Sequence, residues 1–120
     1  MELFDISQRA MEVALHGLEV RQSVISNNLA NVNTPNYHRS DVSFESELRD
    51  AIGSGSTGTV LSVEPTVTTD DRDFMRVDGN GVDVDAEAAE LAKTQLLFNA
   101  VMGVVTKNLS VMSQQITSAR

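Results

Sequence analysis

The residues of this 120-residue chain that could do chemistry are few: two histidines, a run of acids around Gly79-Asn80-Gly81, and no cysteine at all. Aligning the calcium-loop pattern D-x-D/N-x-D/N-G-x5-E on Gly81 puts Asp78, Asn80 and Glu87 on ligand positions. The first ligand position then falls on Arg76, a cation where a carboxylate is needed, and Asp83 takes the place of the usual apolar residue. The segment therefore reads as a glycine-flanked turn followed by an acidic helix start, where the helix dipole favours carboxylates. His16 lies on the polar side of a helical stretch and His38 follows a turn, and no spacing gathers carboxylates around either. Nucleophile elbows, phosphate-cradling glycine loops and zinc-binding helices are missing from the sequence. The chain is expected to have no catalytic, cofactor-binding or metal-binding residues, and so not to be an enzyme.

Charge narrows the partners. Seventeen acids against nine bases give a net charge of −8, with no Lys/Arg cluster to offset it. Nucleic acid and anionic membrane surfaces both need a basic face. Met1 to Arg9 lack a basic region followed by an apolar one, and no run of about 18 apolar residues appears, so neither a secretory signal nor a membrane-inserted helix is predicted.

What must carry the function is the long elements. Phe4, Met11, Leu18, Ile25 and Val32 recur every seven residues, predicting a helix from about Asp5 to Asn31. Pro35 ends it, since the residue before proline is driven out of helical geometry. Phe44, Leu48 and Ile52 predict a short helix within Ser40 to Ile52, and the Gly/Ser run from Gly53 to Gly58 reads as a linker. Val60, Val63 and Val67, with several Thr, predict a small hairpin or irregular arm up to Val77.

From Val84 the chain steps by four and three through Val84, Ala88, Leu91, Gln95, Phe98, Met102, Val105, Leu109, Met112, Ile116 and Ala119. Such stepping predicts a helix of about 50 Å at roughly 1.5 Å per residue. A second apolar row, Leu97, Val101, Val104 and Val111, lies about 100° around it. One partner helix does not cover two rows that far apart. Pairing within the chain is assigned to Met11, Leu18, Ile25, Leu91, Phe98, Met102, Val105 and Leu109. Leu97, Val101, Val104 and Val111 are assigned to neighbouring subunits. Gly17 and Gly103 sit inside these helices, each either a close approach or a tolerated cost of about 1 kcal/mol.

One further stretch stands out: Ser26-Asn27-Asn28-Leu29-Ala30-Asn31-Val32-Asn33-Thr34-Pro35-Asn36-Tyr37. Physically it is a helix end followed by a fixed turn. It closely resembles the signature S-N-N-L/I-A-N-x-N-T-P-G-Y of the flagellar rod, hook and hook-associated proteins, with Asn36 in place of glycine. Asn28, Ala30, Asn31, Asn33, Thr34, Pro35 and Tyr37 carry the match. Asp78 to Asp85, continuing through Glu87 and Glu90 to Phe98, resembles the short proximal rod members of that family. The resemblance implies a mainly α fold. Its N- and C-terminal long helices (residues 1–35 and 83–120) pair antiparallel as a coiled-coil-like hairpin, with a short irregular or β middle at 36–82. It further implies a self-assembling structural subunit at the cell-proximal end of the torque-transmitting rod. Its partners would be other rod subunits, the membrane-embedded base and the flagellar type III export apparatus, which exports without a cleaved signal. Another short axial protein of the same family, or a helical export adaptor or chaperone, are the alternatives.

Overall fold

A computed structural model describes residues 2–71 and 80–118. Its elements are α1 (Glu2–Ala30), β1 (Ser40–Ser43), α2 (Glu45–Gly53), α3 (Thr57–Leu61), β2 (Thr66–Thr69) and α4 (Val84–Ser118). The two long helices lie antiparallel, and the molecule measures 68 × 26 × 14 Å. Its radius of gyration, 18.4 Å, is well above the roughly 14 Å of a compact chain this long.

α1 is the spine, packed against α4 on one side and against β1, α2 and α3 on another. It does this with two apolar seams. Leu18 and Ile25, both 4% exposed, lie on the heptad row, with Met11 half-buried. A second row steps by four and three through Ile6, Ala10, Val13, Gly17, Val20 and Val24 and carries much of the helix's share of the core. Phe44, Leu48, Ala51, Val42 and Val60 close that core from the middle segment, and Phe98 and Val101 reach it from α4.

The middle segment departs from the sequence expectation in three ways. The strand pairing is not a local hairpin: β2 pairs antiparallel with β1, Val42 opposite Val67 and Ser40 opposite Thr69. β1 brings Val42 into the core, where it is 5% exposed. In α2 the inward row is Phe44, Leu48 and Ala51, and Ile52 stands 43% exposed. A 4-then-3 step keeps three residues on one helical face better than two steps of four. The Gly/Ser run is a built turn rather than a linker. Ser54 Oγ donates to the Ala51 carbonyl at 2.6 Å, Gly55 takes φ +74°, and Ser56 caps α3 by accepting from Thr59 N at 3.3 Å. Ser at that position satisfies an amide that the first turn leaves unpaired.

Of the two glycines inside the long helices, only Gly17 has a structural cause. A Cβ there would stand 2.5 Å from Phe44 Cε1, whereas one at Gly103 would meet nothing within 4 Å. Overpacking a core costs about 1–3 kcal/mol, and replacing an open helical glycine gains up to about 1 kcal/mol. Gly17→Ala is therefore expected to lower the urea midpoint and Gly103→Ala to raise it, both read by circular dichroism.

Candidate functional site: a polar clasp and an open helix face

The signature stretch folds into a clasp between the end of α1, the start of β1 and the start of α4. Asn28 is fully buried at its centre. Its Nδ2 donates to the Ser40 carbonyl at 2.9 Å and to Glu87 Oε2 at 3.2 Å. Its Oδ1 accepts from Ser40 N at 3.0 Å and from the Tyr37 hydroxyl at 3.3 Å. Both ends of the amide are thus used, as burial of such a group requires.

The turn leading out of α1 is fixed by its own polar atoms. Asn31 Nδ2 donates to the Asn27 carbonyl at 2.8 Å, and Thr34 Oγ1 donates to Asn31 Oδ1 at 3.1 Å. Asn36 takes φ +61°, the left-handed geometry that asparagine tolerates best after glycine. Ala30, Asn33 and Pro35 are exposed and face outward from the clasp.

Two residues join the clasp that were not assigned to it from sequence. Asn80, also fully buried, donates from Nδ2 to the Asn31 and Thr34 carbonyls at 2.9 and 2.6 Å, and its Oδ1 accepts from Val82 N at 2.8 Å. Glu87, 2% exposed, accepts from Arg39 Nε through Oε1. Burial works to lower the Arg39 pKa, but the Glu87 bond and charge, with Asp41 and Asp70, outweigh it and raise the value above its ordinary one. The two calcium-loop positions that are described are therefore taken up by protein partners, and Asp78 lies outside the described residues. Among those residues no group of His, Asp and Glu is placed to hold a metal. His16 is exposed, and His38 Nδ1 lies 2.9 Å from the Asp70 carbonyl.

Along α4 the inward face differs from the assigned one. Leu91, Phe98 and Val105 face α1, but the other half of the seam is Glu87, Thr94, Val101 and Asn108. Met102 and Leu109, assigned to the hairpin, stand 41% and 53% exposed, with Leu109 beside Phe4 and Gln8 at the open end. Val101, assigned to a neighbour, packs on the subunit's own core. The frame shifts by one residue because Glu87 and Thr94 are inward and polar, and a count of apolar residues passes over them. Leu97, Val104 and Val111 are 45–49% exposed and form one band, continuous with Leu96 and Ala100. An apolar groove of about 540 Å³, lined by Leu18, Phe44, Leu48, Leu97 and Val101 among others, adjoins it. By length and composition alone α4 is apolar enough to cross a membrane, which counting unbroken apolar runs had not suggested.

Removing Arg39 strands the Glu87 carboxylate in a site where an unpaired charge costs on the order of 3 kcal/mol. Arg39→Met is expected to destabilise more than the double variant Arg39→Met/Glu87→Gln, a non-additivity read from urea unfolding of the four-member cycle.

Residues 8–38, most of α1 and the clasp turn included, match the family model described as flagella basal body rod protein. Similar proteins include the flagellar basal body rod protein FlgB of Borreliella burgdorferi, 36% identical over 83% of this chain and 84% of its own. That of Bacillus subtilis is 35% identical over 85% of this chain and 86% of its own. That of Escherichia coli K12 is 26% identical over 98% of both. At that identity and coverage, over an antiparallel hairpin closed by the signature clasp, the chain belongs to the FlgB family of flagellar basal body rod proteins.

Proposed function

We propose that this structural rod subunit builds the proximal part of the flagellar rod by seating its uncovered α4 band against neighbouring subunits. The single observation that carries this reading is the row Leu97, Val104 and Val111, half exposed on a helix whose adjoining face is already satisfied by α1. Apolar area of that extent in water is unfavourable by about 25 cal/mol per Å², and a neighbouring helix removes the cost. Seated head-to-tail on a different face of its neighbour, such a band propagates rather than closing, which is what a rod requires.

The same reading takes the stacked α1–α4 hairpins as the wall that transmits torque. It also takes the base of the flagellum as the partner at one end of the stack, and the type III apparatus as the route out of the cell without a cleaved signal. The terminal segments, 1–35 and 83–120, act as the assembling unit through α1 and α4, and 36–82 supplies the β1–β2 pair and the short helices that brace it.

The test uses two adjacent positions. Val105 is 8% exposed in the seam and Val104 is 49% exposed beside it. A charge at Val105→Asp falls inside the subunit and should cost several kcal/mol, so the protein should be degraded or insoluble. At Val104→Asp the free subunit leaves the carboxylate in water, so the protein should accumulate and be exported but fail to form a rod. Each variant is expressed in cells lacking the wild-type gene, and protein level, export and swimming are measured. Normal swimming with Val104→Asp sinks the assembly role of this band.

A further inference from the structure

We infer that Asn80 is a deamidation site that the closed clasp protects, and that its conversion to aspartate or isoaspartate permanently prevents the clasp from closing. Asn80-Gly81 is the one Asn-Gly pair in the chain. Glycine on the C-terminal side offers no side chain to hinder attack of its backbone nitrogen on the asparagine amide. In that reaction the Gly81 amide loses its proton and its nitrogen bonds to Asn80 Cγ. The Cγ–Nδ2 bond breaks, and the side-chain nitrogen leaves as ammonia. Water then opens the resulting five-membered imide at either carbonyl, giving aspartate or isoaspartate. The sum is asparagine plus water to an acid plus ammonia, with no electron transfer.

Each requirement of that sequence is denied in the folded chain. The Gly81 N–H is held by the Tyr37 carbonyl at 3.0 Å, so the proton that must leave is engaged. The amide that must rotate into line is fixed at both ends, by the Asn31 and Thr34 carbonyls and by Val82 N. Asn80 has no exposed surface, so its side chain must leave a buried, fully bonded position before the amide can react. The reaction therefore runs through the open state, and its rate is scaled by the fraction of time the clasp is open.

The product is a poor fit for the same reasons. A carboxylate at position 80 cannot donate, yet it would face two carbonyl oxygens at the distances where Nδ2 now donates. Isoaspartate would in addition lengthen the backbone by one carbon between Asn80 and the Gly81–Tyr37 bond. A chain that has spent time open thus carries a mark that keeps it open.

The test incubates the full chain in native buffer and in urea at mildly alkaline pH. Peptide mass spectrometry follows the mass gain and isoaspartate at position 80, with exposed Asn99 as internal reference. Hydrogen exchange of the Gly81 amide is read on the native sample. The expected result is fast conversion in urea, with conversion slowed by about tenfold or more in native buffer and by a factor similar to the protection of the Gly81 amide. Asn80→Asp should melt well below wild type at neutral pH. A variant too unstable to fold at neutral pH is the same result in stronger form. An unprotected Gly81 amide in native buffer, equal deamidation rates in both samples, or an Asn80→Asp variant that melts like wild type at neutral pH would each overturn the inference.

Discussion

Glu87 is an ionisable group taken almost wholly out of water, and the rest of the hairpin is arranged so that it is never alone. Arg39 supplies the countercharge and Asn28 a further donor, so the carboxylate is bonded at both oxygens. Those two partners come from the end of α1 and the start of β1, which means one side chain on α4 holds three segments in register. A buried ion pair adds little net stability over an apolar substitute, but breaking one is costly. The clasp therefore acts as a specificity device. Apolar seams alone would allow α4 to slide along α1 by a turn, and the polar end does not.

With register fixed at one end, α1 can serve two partners at once. Its two rows share one core, which receives Phe44, Leu48 and Val60 from the middle segment and Phe98 and Val101 from α4. The middle segment is thereby not an ornament on a two-helix coil. It covers the α1 face that α4 leaves bare, with Arg21 tying it down by donating to the Val42 carbonyl at 2.8 Å, pairing with Glu45 and lying 5.0 Å over the Phe44 ring. The longest uncovered apolar band is on α4, whose far side no other described element reaches.

The two long helices were readable from periodicity, since each runs for several heptads, and the first ends at a plain stop signal in Pro35; their antiparallel pairing was implied by the family resemblance. The clasp was readable as a pattern of residues but not as a contact set. Asn28 and Tyr37 belong to the signature, whereas Asn80 and Glu87 lie about 50 to 60 positions later, and no local rule links them. The middle was misread where tertiary packing outweighed local preference: Val42 became a strand residue to reach the core, and a serine in a flexible-looking run became a helix cap. The α4 frame was misread for a different reason. A polar seam residue with a partner looks, in one dimension, like a surface residue. The second row on α1 steps as regularly as the first and could have been found by the same count.

The open end of the hairpin has a mechanical meaning. α4 is six residues longer than α1, 35 against 29, and all its described residues beyond Leu109 are exposed. At about 1.5 Å per residue the difference is roughly 9 Å. A block with a flush end can only abut the next one, and such a joint slips under twist. A block with a projecting tongue overlaps its neighbour lengthwise, so twist is carried as shear along a shared helix surface instead of across a butt joint.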